Sequence, residues 1–138
     1  MKQIKRKDEI LVSYQQIIIS NIGISPPHFE WTAQDYKKGY AADEYAVSFA
    51  ALSNSSADIQ VVQDQPEQLN SKPEFTCKVP FRVVNGAVEI KSILSKKLVC
   101  EIPAGDYYIT FLAIPLEEKT KNGLYRVKYI FQFSKAGL

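Results

Sequence analysis

The dipeptide Asn85-Gly86 constrains the fold of this chain more than any other pair of residues. Asn-Gly is the preferred centre of a two-residue hairpin turn, because both positions need a positive φ. The flanks agree with that reading. A turn at 85–86 sets Val83 against Val88 and Phe81 against Ile90 on one face, and Arg82 against Glu89 on the other. The apolar pairs then share a buried face and the opposite charges a solvated one. A shift by one residue would drive charge into the core. The pattern predicts a hairpin over residues 78–93.

The other segments read mostly as strands. Residues 10–19, rich in Ile and Val, form a first strand covered on both faces. Asn21-Ile22-Gly23 and Pro26-Pro27 break the chain, so residues 24–31 form an extended surface loop. Thr32 is a good N-cap, Asp35 completes a capping-box-like pair, and Gly39 fits a left-handed stop. A helix or helical turn is predicted at 32–38, too short to stand without packing. Tyr45, Val47, Phe49 and Ala51 alternate as a strand with one buried face, and Ile59 to Val62 starts another. Residues 63–74 read as an exposed loop. Leu98, Cys100 and Ile102 alternate, and residues 107–114, apolar on both faces, read as a central strand that Pro115 ends. Tyr125, Val127, Tyr129, Phe131 and Phe133 form a last, half-exposed strand. The expected fold is all-β: an antiparallel β-sandwich of about eight strands with one short helix. Residues 1–138 are expected to form a single domain.

Charge narrows the function. The net charge is +2, too near neutral for a whole-protein nucleic-acid footprint. It is unevenly spread: residues 30–70 hold seven acids against two lysines, net −5, and residues 71–138 are net +5. Solvated charges on several faces are the plain reading, and an acidic face for a basic partner is the sharper one. On the last strand, alternation puts Tyr125 and Tyr129 opposite Arg126 and Lys128, whereas a base-stacking platform needs rings and cations together. Direct nucleic-acid binding is therefore not expected.

Catalytic residues are not expected either. His28 is the only histidine, set in the Pro-rich loop, and it belongs to no nucleophile motif. No His/Cys cluster suits a metal, no glycine loop suits a phosphate, and no cofactor is expected. Cys77 and Cys100 read as buried free thiols, bridged only if their strands are neighbours. The N-terminal MKQIKRKDEILVSYQQIII is interrupted by Ser13, Gln15 and Gln16 and makes a poor signal peptide. No apolar run approaches the roughly 20 residues that span a bilayer. A cytoplasmic protein is expected, membrane-associated only through a partner.

Residues 26–49, PPHFEWTAQDYKKGYAADEYAVSF, carry a resemblance. So do Ser13-Tyr14-Gln15-Gln16, Val79-Pro80-Phe81, Asn85-Gly86, Ser92-Ile93, Gly105-Asp106-Tyr107 and Pro115, in that order along the chain. Together they resemble the competence protein J family, most recognisably at Lys38-Gly39-Tyr40-Ala41-Ala42. The resemblance implies a non-enzymatic inhibitor of a metal-dependent, sequence-nonspecific DNA-entry nuclease, and so a protein partner. It gives no residue-level inhibitory surface. From charge, aromaticity and loop position, Glu30, Trp31, Asp35, Asp43 and Glu44 are the candidate partner-binding residues. Trp31 is a plug seating the loop or an interface anchor. Asp43-Glu44 is a solvated pair or a stand-in for DNA phosphates. Edges at 45–52 or 124–134 offer pairing to a partner strand. An immunity protein against a related nuclease toxin is the alternative, and a sandwich module for a sugar or other small ligand is a further one.

Overall fold

The computed structural model describes residues 3–26, 29–43, 45–63, 72–93, 95–119 and 125–136. In chain order the elements are β1 (Gln3–Leu11), β2 (Gln16–Asn21), α1 (Ala33–Lys38), β3 (Tyr40–Ala42), β4 (Ala46–Ala50), β5 (Ser56–Gln63), β6 (Phe75–Val83), β7 (Ala87–Lys91), β8 (Leu98–Glu101), β9 (Gly105–Lys119) and β10 (Tyr125–Lys135). Two five-stranded sheets form, ordered β1-β5-β10-β9-β6 and β3-β4-β2-β7-β8. The fold is the expected all-β sandwich. All ladders but one are antiparallel; β5 and β10 run parallel, with Val127 opposite Ala57. Four strands separate these two in sequence, so the long connection a parallel pair requires is already there.

The hairpin over 78–93 does not form. β6 pairs with β9 in the first sheet, and β7 pairs with β2 and β8 in the second. Residues 84–86 are an arch between sheets. Gly86 has φ 76°, but Tyr14 and Gln15 are the left-handed non-glycine residues among those described. Asn85 thus lacks the positive φ that the hairpin turn needs. Val83, Phe81, Val88 and Ile90 are all buried in the shared core, but from opposite sheets. Alternation reports which face is buried and is silent about the partner strand. Arg82 pairs with Asp106 instead of Glu89, Nε to Oδ1 at 2.8 Å.

Asn21 holds the arch. It is fully buried, and its Nδ2 donates to the carbonyls of Arg82 at 2.8 Å and Tyr45 at 3.1 Å. Its Oδ1 accepts the Val84 N–H at 2.8 Å. Asn85 Nδ2 donates to the Ile22 carbonyl at 2.7 Å. These bonds supply partners that a hairpin ladder would otherwise give.

Other expectations need correction. Residues 10–19 are not one strand: the chain turns at Tyr14 and Gln15 and passes from β1 in the first sheet to β2 in the second. That division and the three-residue β3 make ten strands of about eight expected. Pro115 does not end β9. Pairing with β6 stops at Ala113, and the β10 register is irregular beside Pro115, so its missing N–H costs little there. β4 and β10, the two candidates for an edge open to a partner strand, are internal; the edges are β1, β6, β3 and β8. β10 is also less exposed than expected, since Ile130 is buried on the outer face of its sheet with Val62 and Ile114.

The core centres on Phe111, whose ring stacks on Phe49 at 4.6 Å and on Tyr129 at 5.6 Å. Each such ring contributes roughly 1.5–3 kcal/mol by burial. The Tyr129 hydroxyl accepts the Leu52 N–H at 3.0 Å, and burial pushes its pKa up to about 12. Cys77 on β6 and Cys100 on β8 lie in different sheets and are free thiols. Burial pushes the Cys77 thiol up to about 12. Among the described residues no helix is long and apolar enough to cross a membrane.

Candidate functional site

The loop after β2 lies on the outer face of the second sheet. Pro26 and Phe29 line a depression with Ile18 of β2 and Lys91 of β7. Trp31 and Tyr36 line a second depression with Gln16, Ala50 and Ala51. The Trp31 and Tyr36 rings are 5.3 Å apart. Trp31 is half-buried, which agrees with a plug seating the loop, yet its Nε1 is buried without an acceptor among the described residues.

α1 forms as its caps predict. The Thr32 hydroxyl accepts the Asp35 N–H at 3.1 Å, and the Asp35 carboxylate accepts the Thr32 N–H at 2.9 Å. Gly39 closes the helix at φ 86°, donating its N–H to the Asp35 carbonyl at 2.8 Å. No residue of α1 is buried, so tertiary contacts at its ends hold it. The Phe75 ring lies directly against the Gly39 Cα, where a Cβ would stand 2.8 Å from Phe75 Cε2.

The five candidate residues fall in two places. Glu30, Trp31 and Asp35 surround the start of α1. Glu30 is exposed, whereas the Asp35 carboxylate is engaged by its own cap and by Lys38 at 3.5 Å. The Thr32 backbone N–H first, then the Thr32 side chain and Lys38, hold the Asp35 carboxyl below the usual range. Asp43 lies elsewhere, in a depression with Arg82, Asp106 and Tyr108. Its Oδ1 accepts the N–H groups of Tyr45 and Ala46, each at 2.8 Å, which sets the turn into β4. Glu44 and His28 lie outside the described residues. Asp58, another acid of the 30–70 segment, sits on the other sheet with Glu9, both bonded by Arg126. The acids of that segment therefore do not make one face.

Sequence reasoning missed Tyr14, Tyr36 and Lys91 as surface residues of this region. Tyr14 is 66% exposed at the tip of the β1–β2 turn, and Tyr36 is 73% exposed on α1. For Tyr36 the available signal was its place on a predicted helix too short to bury a whole face. Tyr14 was not, because Tyr-Gln is no turn signal. Tyr129, by contrast, is fully buried, and Arg126 and Lys128 lie on the opposite face of β10, as alternation predicted. Among the described residues no cluster of three or more His, Cys, Asp or Glu side chains is disposed to hold a metal.

Comparison with known proteins agrees with this architecture. The family described as Competence protein J matches residues 9–134. A DNA-entry nuclease inhibitor of Bacillus subtilis (strain 168) is 37% identical over 112 residues, covering 81% of this chain and 84% of the relative. The crystal structure of ComJ, inhibitor of the DNA degrading activity of NucA, from Bacillus subtilis superposes with a TM-score of 0.85 at 32% identity, covering 99% of each chain. The chain belongs to the competence protein J family.

Proposed function

We propose that this chain is a non-enzymatic inhibitor that binds a DNA-entry nuclease of the competence machinery and blocks DNA cleavage. It acts as one domain, in the cytoplasm or at a membrane through its partner. The observation that carries the reading is likeness over nearly the whole chain to an inhibitor of NucA, at 32% identity. The surface chemistry is consistent with it. Glu30 and Asp43 are exposed acids. With Glu44 they stand in for DNA phosphates toward cationic groups of the enzyme, and Trp31 anchors next to Glu30. Asp35 belongs to the same region, but its carboxylate is already engaged by its cap, so it contributes chiefly by fixing α1.

Titration of purified NucA with this protein in a plasmid-degradation assay tests the proposal. Cutting is expected to stop near a stoichiometric ratio, with a complex that survives gel filtration. Full cutting at tenfold excess would overturn it. Reversal of Asp43 and Glu44 together is expected to slow association and flatten its salt dependence. Unchanged inhibition by that variant would remove Asp43 and Glu44 from the interface.

A further inference from the structure

The β1–β2 turn has a conformation its residues disfavour. Ser13 and Gln16 form an isolated antiparallel bridge, with Tyr14 at φ 53° and Gln15 at φ 50° between them. Two left-handed residues in a two-residue turn are the natural setting for Asn-Gly, and an aromatic side chain resists it. The surrounding structure enforces it. Gln15 N–H donates to Asn54 Oδ1 at 2.6 Å, and Ala51 N–H donates to the Gln15 carbonyl at 2.8 Å. The buried Ser92 hydroxyl accepts the Ser13 N–H at 2.8 Å and donates its one proton to the Gln16 carbonyl at 2.6 Å, with the Ser13 carbonyl also in reach at 3.0 Å. All this fixes a turn whose Tyr14 side chain stays mostly in water, so the ring gains the fold little. Such strain is characteristic of functional positions.

Tyr14, with Gln16, also lines both depressions on the outer face of the second sheet. They make one groove, apolar through Ile18, Phe29 and Trp31, with Tyr36 exposed at one end and Lys91 at the other. Its one charged lining residue among those described is a cation. Lys91 has no ion pair among the described residues, the Trp31 indole N–H has no acceptor among them, and no described carboxylate lines either depression. The complement is a segment bearing apolar side chains and a carboxylate.

Resting on the nuclease reading above, we propose that this groove receives an acidic, apolar segment of the nuclease, with Tyr14 as the anchor and Lys91 as its charge partner. The contact is opposite in sign to the one made by Glu30 and Asp43, so the two together fix the orientation of the enzyme. The indole N–H is reached through the side-chain rearrangements that binding commonly brings.

The test measures inhibition and affinity for NucA with the wild-type chain, Tyr14→Asn and Lys91→Glu, alongside thermal unfolding of each. Asn tolerates the left-handed conformation, so Tyr14→Asn is expected to unfold at or above the wild-type temperature. Both variants are expected to lose at least tenfold in affinity, and Lys91→Glu more at low salt than at high. Either variant binding within twofold of wild type, while wild type inhibits, would overturn the groove and leave the nuclease reading intact. A wild-type chain that does not bind NucA would overturn both. A wild-type dimer on gel filtration that Tyr14→Asn dissociates would assign the groove to a second copy and overturn the proposal.

Discussion

Gly39→Ala separates two reasons for one glycine. The residue has φ 86°, where a Cβ costs about 1–2 kcal/mol. The new methyl would also meet the Phe75 ring, 2.8 Å from Cε2 and 3.1 Å from Cε1, with Cζ closer still. The ring cannot simply swing away, because it packs edge-on against Phe111 at 6.1 Å. Overpacking of this kind costs about 1–3 kcal/mol. The combined destabilisation is therefore about 2–5 kcal/mol, read as a fall in the urea midpoint with an unchanged slope. Pairing the change with Phe75→Leu divides the two parts. The leucine removes the clash but not the backbone cost, so the double variant is expected to recover about 1–2 kcal/mol relative to additivity. A loss below about 0.5 kcal/mol for Gly39→Ala would refute the close approach, and additivity of the pair would refute the role of Phe75.

Further outcomes follow from the same geometry. Asn21→Ala removes three buried side-chain hydrogen bonds, to the Arg82 and Tyr45 carbonyls and from the Val84 N–H, while the Asn21 N–H still reaches the Tyr45 carbonyl; at about 1–3 kcal/mol for a buried group left unsatisfied, it is expected to destabilise by about 2 kcal/mol or more in urea unfolding. Near-wild-type stability would mean that Asn21 does not hold the arch. Arg126→Gln leaves Glu9 and Asp58 directly opposite on neighbouring strands. The site is partly exposed, so the loss is expected to be about 1 kcal/mol at low salt and smaller in 1 M salt, and a salt-independent loss would refute the electrostatic account. Asp35 has a folded pKa below its ordinary 3.8. Its contribution to the α1 cap is present above 3.8 and lost as pH falls through the lower folded value. An NMR titration of its carboxyl is expected to show a midpoint below 3.8, and a midpoint at or above it would refute the cap geometry.

Patterns spanning a few residues were legible. Thr32, Asp35 and Gly39 announced α1 and both its caps, because capping is a contact between residues three or four apart. The alternation in Val79–Val83, Leu98–Ile102 and Tyr129–Phe133 announced which side chains are buried. The order of quoted pieces announced the family. The candidate surface was only partly legible. Trp31 and the exposed Glu30 were visible, but the division of Asp43 from the α1 region was not, nor the diversion of Asp35 into its own cap.

Acting alone, then, the amino-acid sequence determined most strand positions, the buried face of each and the single short helix, all set by local steric preference and by transfer of apolar side chains from water. The tertiary structure decided which sheet each strand joins. Val83 and Val88 are buried equally well as a hairpin pair or as an arch between sheets, so their pattern does not choose. Asn21, far from 85–86 in sequence, supplies buried partners that the arch needs and a hairpin does not. Likewise the left-handed turn at Tyr14 and Gln15 exists because Asn54, Ala51 and Ser92 impose it from distant segments. Long-range hydrogen bonds outweigh a local disfavoured conformation there, and no window of neighbouring residues contains them.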